Sequence, residues 1–276
     1  MRLFRNRNFM KKLIGSLLAL AFVSGAFAQD FQKIRFGVQV KPNVSWFKPK
    51  DANAASDGVR LNWGAGIVAD FHFAELYSFS TGISVDNQSG KLTYTEKVFD
   101  ASDDLWTIVE YKRKYSLRYI EIPLLLKLQT KEIGYMTYFL NVGMGLGANW
   151  AASATGDRYL KNVHGLNDAG ELDWHVQNED VAETKINVRD DFKLFRASVI
   201  VGGGVEYNIN SGTSIVIGVS YNGGFSNIMS KNVEAVELDA EDNNSPIING
   251  KALDAPVLAK LNATNNVIAL TVGVMF

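Results

Sequence analysis

The 276-residue chain contains no cysteine. That absence excludes a disulfide framework, a thiolate metal site, a cysteine nucleophile and the lipidated cysteine of a bacterial lipoprotein. Histidine is scarce too: His72, His164 and His175 leave little room for a His-rich metal centre. Proline is limited to 5 residues while glycine reaches 24, a balance that suits many strands better than many helices. Charged residues at 21% and aromatics at 11% are too ordinary for a disordered chain. Beyond the N-terminal segment no apolar run is long enough for a membrane-spanning helix.

Residues 1–28 read as a cleaved export signal. Arg2, Arg5, Arg7, Lys11 and Lys12 precede the short apolar run Leu13 to Val23, and Ala26-Phe27-Ala28 fits the small-x-small cleavage rule. Met10 is an alternative start to Met1. Residues 29–276 then form the mature domain. Removing the signal's five bases from 28 leaves 23 against 29 acids, a net charge of −6. An acidic mature chain argues against nucleic acid as a partner.

The mature sequence alternates with period two. From Ile34 to Trp46 the even positions are Ile34, Phe36, Val38, Val40, Pro42, Val44 and Trp46, and the odd ones are Arg35, Gly37, Gln39, Lys41, Asn43 and Ser45. That run exceeds the roughly 9–11 residues a tilted strand needs to cross a bilayer. The pattern recurs from Leu61 to Phe73, Tyr77 to Asp86, about Tyr111 to Gln129, Met136 to Trp150, Phe195 to Tyr207, Ser214 to Asn222 and Ile268 to Phe276. That makes eight strands. Short links near 74–76, 131–132 and 210–212 alternate with long ones at about 48–60, 88–110, 151–191 and 226–264.

An even strand count with short turns at one end and long loops at the other predicts an antiparallel, up-and-down transmembrane β-barrel of the bacterial outer membrane. Short turns and both termini lie on the periplasmic side, and the long loops are extracellular. Aromatics sort by height. Trp46, Trp63, Tyr115, Trp150 and Phe195 fall at the long-loop end, and Phe36, Phe71, Phe73, Tyr77, Tyr138, Tyr207 and Phe276 at the other, with aliphatics between. Two girdles around an apolar band match two membrane–water interfaces. A soluble β-sandwich or lipocalin-like barrel would turn its apolar face inward, with no reason to sort aromatics by height. Eight strands leave a lumen just filled by side chains, so a diffusion pore is not expected. Arg35, Lys41, Asp70, Glu121, Lys127, Arg196 and Glu206 take inner positions and are expected to pair.

In the fourth strand Tyr115, Leu117 and Tyr119 share one phase, while Ile120, Ile122, Leu124, Leu126 and Leu128 share the other. The switch between Tyr119 and Ile120, with Pro123 after it, predicts a β-bulge and a local weakness in the wall. The segment Tyr119-Ile120-Glu121-Ile122-Pro123-Leu124-Leu125-Leu126-Lys127-Leu128 resembles the signature strand of the PorT-like outer-membrane β-barrel family of Bacteroidetes. Phe36-Gly37-Val38 with Asn43-Val44-Ser45, the run Val142 to Gly147, and the closing Gly273-Val274-Met275-Phe276 are similar too. The resemblance implies an eight-stranded outer-membrane barrel and an association with protein secretion. The loops at 151–191 and 226–264 carry no motif of that family.

Other signals are weaker. Gly143-x-Gly145-x-Gly147 lies within a strand and lacks the following helix that a dinucleotide loop needs. A lipid-modifying hydrolase or acyltransferase would need His with Ser or Asp at the outer rim. His72 falls at the periplasmic end, and His164 and His175 fall in a loop far from any strand-borne Ser. Residues 151–191 hold nine acids and four bases. Such acidity suits a solvated face, with divalent-cation binding or a small-ligand barrel as alternatives. Phe276, a terminal aromatic on an alternating strand, resembles a recognition signal for the barrel-assembly machinery. The expectation is a non-enzymatic outer-membrane protein without cofactor. It contacts outer-membrane lipid along its wall and envelope or secretion proteins through loops 151–191 and 226–264.

Overall fold

The computed structural model describes residues 34–276 apart from 51–53, 57, 101–104, 167–171, 211, 231, 235–236, 239–245, 249–250 and 253–257. The expected export signal at 1–28 lies outside the described residues.

Nine long strands organise the chain: β1 (Ile34–Pro49), β2 (Arg60–Ala74), β3 (Tyr77–Asp100), β4 (Leu105–Gln129), β5 (Met136–Leu166), β6 (Leu172–Asn187), β7 (Phe195–Asn208), β8 (Ser214–Gly224) and β9 (Ala263–Met275). All except β6 join one antiparallel ring. Sequence neighbours pair around it, β5 pairs with β7, and β9 returns to β1 with Val38 opposite Val274 and Val44 opposite Ile268. Reciprocal backbone hydrogen bonds between Phe36 and Phe276, 2.7 and 3.2 Å, fasten the seam. The eight-stranded barrel read from alternation is therefore the fold, with every wall edge paired.

The periplasmic turns are compact. Glu75 and Leu76 join β2 to β3. Gly134 (φ 56°) and Tyr135 (φ 69°) take left-handed conformations between β4 and β5. Asn210 Oδ1 accepts from the amides of Gly212 and Thr213, 3.0 and 2.8 Å, before β8. Asn is suited to that local side-chain-to-backbone bond.

The opposite end departs from the expected layout. Segments 88–110 and 151–191 are not irregular loops. They are largely continuations of β3, β4 and β5 past the membrane, joined by β6, which pairs with β5 from Leu166↔Leu172 to Ser153↔Asn187. Cross-strand pairing supplies the backbone hydrogen bonds that polar composition had suggested water would supply. Segment 226–264 also contains paired strands among its described residues. Asn232–Glu234 pairs with Leu258–Lys260, and Ile228, Met229 and Leu261 are buried.

β2 and β3 part company above Gly64↔Asp86. From there β3 leans over the barrel mouth onto β1. Ser45 Oγ donates to Ser89 O and accepts from Ser89 N, each at 2.7 Å. Gly90 makes the crossing possible: a Cβ there would lie 2.4 Å from the Phe47 ring.

Candidate functional site: a paired lumen and an extracellular sheet

Alternation sends small and polar side chains inward along every transmembrane strand, where charges must find partners. At the periplasmic end Arg35 donates to Glu206 at 2.7 Å and to Ser214 at 2.8 Å. Lys127 bridges Asp70 at 2.5 Å and also contacts Glu206, and Ser80 donates to Asp70 at 2.6 Å. Higher up, Lys41 donates to Asp86 and Ser84, each at 2.9 Å. Across from it Arg196 meets Glu121 at 3.1 Å and Asn222 at 2.7 Å, and Asn222 donates to the other oxygen of Glu121 at 2.7 Å. Gln88 and Asn265 extend this layer.

All seven charged residues assigned to the interior from sequence therefore lie in two layers. Four bases (Arg35, Lys41, Lys127, Arg196) face four acids (Asp70, Asp86, Glu121, Glu206). Asp86 is the member missing from the sequence list. Its phase, shared with Ser78, Ser80 and Ser84 on β3, was the signal that placed it inside. Between the layers remains a cavity of about 120 Å³, bounded by Asp70 and Lys127 below and Asp86 and Glu121 above. It has room for a few waters.

Above this lumen the interior becomes apolar. Phe47, Leu92, Tyr94, Val109, Tyr111, Tyr115, Leu117 and Tyr119 pack with Phe192, Ile228 and Met229 into one buried cluster. Tyr115 meets Phe192 edge-on at 5.3 Å, and Tyr94 stacks on Tyr111 at 5.2 Å. Each such pair adds about 0.5–1.5 kcal/mol beyond its buried area. Arg113 enters the rim of this cluster. It forks onto Glu183 of β6 at 2.5 and 2.6 Å and covers the Tyr111 ring at 4.0 Å. Burial pushes the Tyr94 hydroxyl well above its ordinary pKa, with neighbouring Tyr115 adding to the effect. Burial is the largest influence on Arg113 and opposes its charge, yet the Glu183 hydrogen bonds together with the charges of Tyr94, Tyr115 and Glu183 exceed it, and its pKa is raised.

Two expectations are corrected by this core. Tyr115 is not a girdle residue; it is 1% exposed and points inward. The fourth strand has no slip between Tyr119 and Ile120. Odd residues from Val109 to Glu121 are buried continuously, and β3 keeps one register from Tyr77↔Leu128 to Asp100↔Leu105. The bulge lies on β5 instead, where Arg118 pairs with Ala151 and Tyr119 with Asn149, leaving Trp150 as the extra residue. Pro123 lines the lumen, and β3–β4 pairing skips it and Ile122.

Other sequence candidates sit apart. Trp63, Trp150, Phe71, Tyr138 and Phe276 are exposed on the outer wall, and Trp46 is half-covered beside Tyr221, ring centroids 6.5 Å apart. His72 Nε2 lies 3.1 Å from Gln129 Oε1 in the periplasmic mouth. His164 and His175 fall on the paired strands of the β5–β6 hairpin, far from His72.

A ring of eight strands, polar within and apolar without, defines an outer-membrane β-barrel. The model of the outer membrane protein beta-barrel domain family matches residues 27–179, more than half of the chain, and the chain belongs to that family. No curated protein matches the chain. Among solved structures it is similar to Neisserial surface protein A (NspA), with 11% identity over 88% of this chain and 96% of that one, TM-score 0.40. OprG from Pseudomonas aeruginosa gives 11% identity over 88% and 94%, TM-score 0.42. Ail of Yersinia pestis gives 9% identity over 89% and 100%, TM-score 0.35. The protein is located in the bacterial outer membrane.

Proposed function

We propose that the protein is a non-enzymatic outer-membrane component that presents its extracellular sheet to a partner protein of the envelope. In its sharper form, which the PorT-like resemblance suggests, that partner belongs to a protein-secretion apparatus. The observation that carries this reading is the hairpin of β5 and β6. Its outer strand pairs, among the described residues, with β5 alone, so one row of backbone donors and acceptors is left for another strand. The lumen supports it from the other side. Paired charges fill it and an aromatic cluster caps it, so solute passage is not its use.

The test is a pull-down of the full mature chain from outer membranes in mild detergent, beside a variant with residues 157–183 replaced by a tight turn. Heat-modifiable gel migration verifies that the variant ring is closed. We expect an envelope protein that co-purifies only with the intact hairpin. An identical set of co-purifying proteins with both chains would overturn the reading.

A further inference from the structure

Directly above the outer girdle, one side of the wall turns basic. On the outward face of β4 stand Arg118, Lys114 and Lys112, all exposed, and Lys91 of β3 lies directly opposite Lys114. On the far side Thr155 pairs with Lys114, and its hydroxyl accepts from the amide of exposed Lys185 at 3.2 Å. Arg118 sits over the Trp150 ring, 5.6 Å from its centroid, which fixes the lowest base at the level of the interfacial aromatics. Among the described residues, acids on this face stand one tier further out. Glu110 reaches Lys112 at 3.5 Å, and Asp157 is the cross-strand partner of Lys112.

Two features single out Lys91, Lys114 and Arg118. Like charges directly opposite each other in a ladder are destabilising, so the Lys91–Lys114 pair costs stability unless an anion lies between them. The mature chain is acidic as a whole, so this concentration of bases runs against its composition. From Arg118 to Lys114 is four residues, about 13 Å along a strand. Two phosphates on one disaccharide headgroup can bridge such a span. Immediately below are lipid-exposed Leu146, Met144 and Val142, which suit acyl chains.

We propose that Lys91, Lys114 and Arg118 form a binding site for the phosphates of an outer-leaflet glycolipid of the lipid A type, whose acyl chains lie against β5. The site is independent of the partner-binding role of the hairpin. Each base close to an anionic lipid surface contributes about fivefold to binding, so three together contribute about a hundredfold.

The test is native mass spectrometry of the folded mature protein in detergent, titrated with bisphosphorylated lipid A. Parallel titrations use dephosphorylated lipid A, phosphatidylglycerol and inorganic pyrophosphate. We expect tight binding of the bisphosphorylated lipid alone. The combined variant Lys91→Gln, Lys114→Gln and Arg118→Gln should weaken it about a hundredfold, while Lys91→Arg, Lys114→Arg and Arg118→Lys should retain it. Equal binding by the Gln variant, or of dephosphorylated lipid A or phosphatidylglycerol by the native chain, would overturn the site. Displacement of the lipid by pyrophosphate at equal concentration would reassign it to free phosphate and overturn the lipid assignment.

Discussion

Below Trp150 and above it, the same strands build opposite interiors. In the membrane the wall is aliphatic outside, at Val142, Leu124 and Ile67, and charged inside, at Lys127, Glu206 and Arg196. Past the girdle the outside carries Lys112, Lys114 and Arg118, and the inside holds Leu117, Tyr115 and Phe47. Strand pairing runs through both zones along β3 and β4 without a register shift. The environment outside the wall therefore selects which face is apolar: hydrocarbon in one zone, water in the other. The first zone is held by hydrogen-bonded ion pairs and the second by packing.

The largest expected effect comes from breaking the first kind of core. Lys127→Met removes the cation shared by Asp70 and Glu206, which are 1% and 0% exposed, and leaves both carboxylates without their main partner. We expect a loss of about 3–5 kcal/mol, read as unfolding in urea from lipid vesicles. A smaller effect locates the boundary between the zones. Val142→Arg on the lipid face of β5 should cost about 2–4 kcal/mol. Thr155→Glu, which sets a charge on the same strand above the girdle opposite Lys114, should stay within about 0.5 kcal/mol. Equal costs at the two positions would abolish the proposed contrast.

The smallest effect separates the cores by pH. Burial raises the Tyr94 pKa above its ordinary value of 10.0 in the folded state. Below pH 10 folded and unfolded forms both keep the phenolic proton, and the contribution of this burial to stability is full. As pH rises beyond 10 the unfolded form ionises first, so stability of the extension falls. Limited proteolysis at about pH 11 should cut the extension while heat-modifiable migration of the ring persists.

This division also explains what could be read from the chain alone. Lipid outside makes apolar residues mark the outer face, so eight strands, both girdles and the inner positions of Arg35, Asp70 and Glu206 followed from alternation. The same rule failed at Tyr115, Leu117 and Tyr119. They are apolar because they face a packed interior, and a switch of environment looked like a slip of register. The hairpin of β5 and β6 was hidden for a related reason. Its acids, among them Asp157 and Glu183, belong to a sheet bathed in water, where polar composition does not distinguish strand from loop. The pairing partners in the lumen were hidden too, because Lys127 and Glu206 are 79 residues apart and only the closed ring brings them together.

The seam between Phe36 and Phe276 has a consequence for the order of folding. It joins β1 to β9 across a sequence separation of 240 between the two phenylalanines, so the wall stays open until both strands have formed. The most distant pairing in the sequence is thus the one that completes the cylinder, a topology that makes closure late and slow. Until then the four acids and four bases of the lumen stand in water and the lipid-facing residues are uncovered.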